Sequence, residues 1–223
     1  MMVERVKTEA LIVELARRLT PVRRLPSVGR RLILWLLVSA PLVVIAALAM
    51  GLRADAAATI TRVPFLLLLV SSLLTAGLAA ASALHFSVPG TDGATARWTP
   101  GMALVGWAVA AGVLLVNTPP ANRDATFPIH LLCVLQIVGL AMLPGAALVA
   151  MLRRGAPLHP ARTGALAALS SAALGAAGTQ MICPSDDPLH VLAGHIAIVA
   201  AAAVIGAVAL APALRPFGGR VRP

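Results

Sequence analysis

The stretch Gly164-Ala-Leu-Ala-Ala-Leu-Ser-Ser-Ala-Ala-Leu-Gly-Ala-Ala-Gly178 holds no charge and no side chain larger than leucine. As a helix it has little to offer water. Its small residues instead let neighbouring backbones approach closely, which is how helices associate in lipid. It is therefore expected at the centre of a membrane bundle. The composition agrees: 59% of residues are hydrophobic, 12% are charged, and the mean hydropathy is +0.91. A chain of 223 residues with so little polar surface cannot cover a water-soluble domain. Crossing about 30 Å of hydrocarbon takes roughly 20 apolar residues as helix. Stretches near that length fall at 32–52, 63–86, 100–117, 127–152, 163–183 and 189–211. The expected fold is all-α, a six-helix transmembrane bundle with a short cytoplasmic amphipathic N-terminal helix.

The net charge of +10 and the pI near 11.7 would suit a nucleic-acid binder. The loops point elsewhere. All the basic residues lie on one side of the predicted spans except Arg53, Arg62 and Arg123. The positive-inside rule then puts both termini in the cytoplasm, with Asp186 and Asp187 facing outward and no direct role for nucleic acid. Small residues Ala47, Ala49 and Gly51 follow the first apolar run, as in a signal peptide. About 30 residues precede that run and further spans follow it, so it is read as a retained span. The expected organisation is a cytoplasmic N-terminal segment over 1–31, a transmembrane domain over 32–211 and a basic cytoplasmic tail over 212–223.

In the N-terminal segment Thr8 is placed to cap a helix, with Glu9 in its first turn, and Pro21 to end it. Leu11, Ile12, Leu15 and Leu19 fall on one stripe, opposed by Glu14, Arg17 and Arg18. Such a short helix is marginal alone and needs a surface, either anionic lipid headgroups or another protein. The basic linker that follows contains Arg23 and Arg24. Arg30 and Arg31 are expected to anchor the first span at the headgroups.

The chain has two cysteines, Cys133 and Cys183, at the ends of spans adjacent in sequence. His130, Cys133 and Gln136 share a helix face at i, i+3 and i+6, and Gln180 and Cys183 do likewise. The turn Pro184-Ser-Asp-Asp-Pro188 then delivers His190 and His195 to the same level. Thiolate and imidazole are ligands for soft metals, so Cys133, Cys183 and His190 form a candidate metal set for a transient soft ion. Oxidation to a disulfide is the second possibility, and packing of the thiols as small apolar groups the third. Against a metal, His190 and His195 stand about 140° apart on an ideal α-helix. Pro144 is expected to kink the fourth span. No nucleophile and base pair stands out, so the chain is not read as an enzyme. No charged residue falls mid-span, which weighs against a small-solute or metal transporter. The cysteines lack Cys-x-x-Cys spacing, which weighs against a membrane thiol oxidoreductase.

Several segments in this order resemble the NrsF-like family of bacterial membrane anti-sigma factors. They are Leu11-Ile-Val-Glu-Leu-Ala-Arg-Arg-Leu-Thr-Pro-Val-Arg-Arg-Leu-Pro26, Trp35, His130-Leu-Leu-Cys133, Arg153-Arg-Gly-Ala-Pro-Leu-His-Pro160, and Cys183-Pro184 with His190 and His195 behind. Gly194 departs from the pattern, where a bulky aromatic residue is expected, and leaves His195 the loosest of the set. The resemblance implies a multi-pass protein of the bacterial inner membrane that holds an extracytoplasmic-function sigma factor. By the same resemblance, Leu11, Leu15, Arg17, Arg18, Leu19, Arg23 and Arg24 contact that partner. Metal or oxidative stress would act through Cys133 and Cys183, with His130, His190 and His195 beside them.

Overall fold

The computed structural model describes residues 2–17, 25–91, 93–119 and 131–215, and among these it is helical without a strand. Helix α1 is Met2–Arg17. The bundle follows as α2 (Val28–Met50), a short α3 (Ala56–Thr59), α4 (Val63–Phe86), α5 (Ala94–Asn117), α6 (Leu131–Leu152), α7 (Pro160–Gln180), α8 (Pro188–Ala209) and a terminal turn α9 (Ala211–Leu214). Five of these, α2, α4, α5, α6 and α8, are long and apolar enough to cross a membrane. Their outward faces carry large exposed apolar side chains such as Leu37, Ile45, Val116, Val204 and Val208. An apolar belt of that extent calls for lipid around it.

The five apolar helices close a ring in the order α2, α6, α8, α5, α4, and α7 fills its centre against α2, α4, α6 and α8. The small-residue stretch therefore sits where its composition predicts. From Leu169 to Gln180 every residue of α7 is buried. Close approach explains the glycines: a Cβ on Gly175 would lie 2.5 Å from the Ile137 carbonyl oxygen of α6. Between α7 and α4, the Ser170 hydroxyl donates to the Ala76 carbonyl at 2.8 Å. A hydroxyl thus finds an acceptor at a depth where water offers none.

Helix boundaries follow local chemistry. Ser27 caps α2 by accepting from the Arg30 amide, and Gly51 ends that helix with φ +91. Two expectations change. Helix α1 begins at Met2 and runs through Thr8, so Thr8 is an interior residue rather than its cap. Arg31 is buried in the bundle instead of resting at the headgroups, because it finds acceptors there: Nη1 donates to Ser87 Oγ at 3.1 Å and Nη2 to the Met151 carbonyl at 2.8 Å.

Consecutive long helices alternate in direction, so each end of the bundle collects six helix termini. One end holds both cysteines, the other Arg31, Arg97, Arg153, Arg154 and Arg162. Near the arginine end, the indole N–H of the fully buried Trp35 donates to the Pro144 carbonyl at 3.0 Å. Helix α2 is thereby joined to α6 at Pro144 and again at Met151.

Candidate metal and redox site

Cys133 lies in the first described turn of α6, Cys183 in the turn after α7, and His190 and His195 at the start of α8. All four are buried. The Cys133 thiol donates to the Cys183 sulfur at 3.3 Å, and the Cys183 sulfur lies 3.3 Å from His190 Nε2. One donor atom from each of the four residues falls within 4.8 Å of every other.

The two histidines meet because the backbone is not α-helical there. Residues Val191–Ile196 form a π-helical turn. Its i→i+5 ladder puts residues five apart close to one turn apart, instead of about 140° around an α-helix. The rings stand 5.1 Å apart, edge to face. His195 is 1% exposed, so Gly194 before it does not leave it loose. Neither of its ring nitrogens has a hydrogen-bond partner among the described residues.

The donor set suits a soft divalent ion. Two thiolates balance the charge, two neutral imidazoles complete a tetrahedron, and the orphaned nitrogens of His195 supply the unmet capacity a metal would use. With metal–sulfur bonds of about 2.3 Å, a tetrahedral site separates its sulfurs by about 3.8 Å. The observed 3.3 Å is below that and above a disulfide bond of about 2.05 Å. Both cysteines are free thiols, and opening by about half an ångström reaches the metal geometry.

A second cluster braces the turn that carries Cys183. The Arg53 amide donates to the Met181 carbonyl at 3.1 Å. Its guanidinium reaches Asp55 Oδ1 at 2.6 Å, Asp186 Oδ2 at 2.9 Å and the Pro184 carbonyl at 3.3 Å. Burial disfavours the charge on Arg53, but the two carboxylates outweigh it and hold the group above its ordinary value. Asp55, bonded by Arg53 and by Thr59 Oγ1, is pulled down to about 2. The sequence by itself places Arg53 and Asp186 in separate loops on one side of the spans. A partnership across 133 positions leaves no local signal.

Of the remaining expected site residues, Leu11, Leu15 and Arg17 lie on α1, and every described side chain of α1, from Thr8 to Arg17, is exposed. His130, Arg18, Leu19, Arg23 and Arg24 lie outside the described residues. Gln136 is half-buried on α6, with its carbonyl oxygen unpartnered among the described residues, and stands outside the four-residue cluster.

Fold and site together define an all-helical, multi-pass membrane protein with a buried two-cysteine, two-histidine cluster at one end. The chain matches the family described as NrsF, negative regulator of sigma F, over residues 15–215, and belongs to it. No curated protein and no solved structure matches it. Membership makes it a negative regulator of a sigma factor, with a sigma factor and the lipid bilayer as its partners.

Proposed function

We propose that this protein sequesters an extracytoplasmic-function sigma factor at the bacterial inner membrane and releases it when Cys133 and Cys183 bind metal or are oxidised. The chain crosses six times, with α7 as the sixth, shielded span and with both termini in the cytoplasm. The cysteines then face the periplasm. Segment 1–31 is the sigma-binding element: α1 exposes Leu11, Leu15 and Arg17, and Arg18, Leu19, Arg23 and Arg24 follow in the same segment of sequence. Residues 32–211 are the sensing bundle and 212–223 a basic tail. His130 stands three positions before Cys133 as a further ligand or proton partner.

One observation supports this reading above the others. Helix α6 carries Cys133 near one end, and towards the other it accepts hydrogen bonds from Trp35 and Arg31 of α2, the helix that continues the N-terminal segment. A shift of α6 at the thiols is felt where the sigma-binding element joins the bundle. Moving a two-state element from 1:99 to 99:1 takes about 5.5 kcal/mol of differential binding. Two thiolate–metal bonds are of sufficient strength for that, given apparent binding energies of about 10–16 kcal/mol at structural zinc sites.

The test is co-purification of the sigma factor with the membrane protein before and after metal or oxidant. Cys133→Ser and Cys183→Ser should each retain the sigma factor under stress, and deletion of residues 2–26 should free it without stress. Normal release by both serine variants refutes sensing by the cysteines. Retention after the deletion moves the binding surface to the bundle itself.

A further inference from the structure

At the thiol end a cavity of about 730 Å³ leads inward from the surface. Its rim carries the exposed Arg62 and the partly exposed Asp186, and its lining reaches two buried polar side chains, Gln180 and His195. Both amide atoms of Gln180 and both ring nitrogens of His195 are without hydrogen-bond partners among the described residues. Asp187 also lines it, with one carboxylate oxygen accepting from the His190 amide and the other buried and unpartnered. Orphaned polar atoms are costly to bury, and three residues converging on one cavity mark a place where a ligand supplies the missing bonds.

The charge of the lining selects the sign of that ligand. Three carboxylates, from Asp55, Asp186 and Asp187, face two guanidiniums, from Arg53 and Arg62, leaving one net negative charge. The donors are also graded. The carboxylates of Asp186 and Asp187 are exposed or half-buried, Gln180 and His195 are buried, and His195 also has a ring nitrogen within 4.8 Å of both sulfurs. Oxygen ligands hold a transition-metal ion weakly and let it shed water in steps, whereas imidazole and thiolate hold it firmly. An ion with its first hydration shell occupies on the order of 200 Å³, at about 30 Å³ per water, so the cavity admits it.

We infer that this cavity is an access chamber for a divalent metal cation: Asp187 takes it from water, Gln180 receives it inside, and His195 passes it to Cys133, Cys183 and His190. The inference rests on the metal-sensing reading above and adds a route to it. His195 is the exchange ligand, since it belongs to both the cavity lining and the buried cluster. Gln180 is a positioning residue whose oxygen replaces a lost water. Phe65, Leu68 and Leu114 give the lining an apolar side that offers the ion no ligand.

The experiment mixes reduced full-length protein in detergent with Cd²⁺ and follows the cadmium–thiolate charge-transfer absorption in time. Wild type should bind in proportion to its thiols. Gln180→Leu and Leu114→Trp, one removing the waypoint and one narrowing the passage, should each slow association and dissociation by the same factor. The final amplitude and the equilibrium constant should stay unchanged, and the retained amplitude also reports a folded site. Wild-type binding with unaltered rates in both variants overturns the access chamber and leaves metal sensing intact. Absence of the cadmium–thiolate band in wild type overturns both.

Discussion

The two ends of the bundle are closed by opposite means. At the thiol end, soft donors and a buried arginine clasp surround a cavity, and polar atoms of Gln180, Asp187 and His195 remain unmatched among the described residues. At the arginine end several described polar groups are matched, although His85 Nδ1 is buried without a partner among the described residues. Arg31 spans Ser87 and Met151, the Ala156 amide donates to the Ser87 carbonyl at 2.9 Å, and Arg162 stacks over Phe86 at 4.3 Å while donating to the Arg97 carbonyl. Among the described residues the thiol end has more unused bonding capacity than the arginine end. On the proposed function, a ligand biases the first end and the second holds one arrangement until α6 moves.

Gly175→Leu should have the largest effect, because it drives a side chain into the Ile137 carbonyl of α6 and so disturbs the centre on which both ends depend. Overpacking costs about 1–3 kcal/mol or more, and loss of folded protein in detergent chromatography is expected. Unchanged stability would mean that α7 is not clamped as described. Arg31→Leu comes next and separates the ends. It leaves Ser87 and the Met151 carbonyl without their charged donor, costing about 2 kcal/mol. Cadmium binding at the cysteines should persist while release of the sigma factor loses its dependence on metal. If release remains normal, the α2–α6 link is not the connection.

Arg53→Ala is the mirror image at the thiol end. It removes the clasp on the Cys183 turn but leaves carboxylates that water can reach, so a cost of about 1–2 kcal/mol is expected, with faster alkylation of Cys183 and no change at Arg31. Equal alkylation rates in the variant and wild type would detach the clasp from the thiol. The smallest effect is that of pH. Asp55 has its carboxyl depressed to about 2 from an ordinary 3.8, so its stabilising pair is complete above about pH 4 and is lost as pH falls through 2. Thermal unfolding of wild type should decline across that window relative to Arg53→Ala. Parallel curves would show that the pair adds nothing.

Much of this was readable from residue order. The run from Gly164 to Gly178 specifies a buried helix wherever it occurs, since small side chains without charge favour close helix contact in lipid over any exposed place. The apolar stretches locate the other helices for the same reason, but they place the first span at 32–52 and the third at 100–117, whereas the helices run Val28–Met50 and Ala94–Asn117. The closeness of Cys133 and Cys183 followed from short connections between neighbouring helices. Other features had no local signature. Arg31 reads as a headgroup anchor until Ser87 and Met151, 56 and 120 positions away, are seen to receive it. His190 and His195 look divergent on an α-helix, and the π turn that unites them, where α8 packs against α5 and α6, has no signature in residue spacing. Periodicity and composition depend on near neighbours, so the sequence by itself determined which segments are helices and which of them lies innermost. Hydrogen bonds between distant segments depend on how those helices are arranged, so only the tertiary structure decided the Arg53 clasp, the α2–α6 link and the four-ligand cluster.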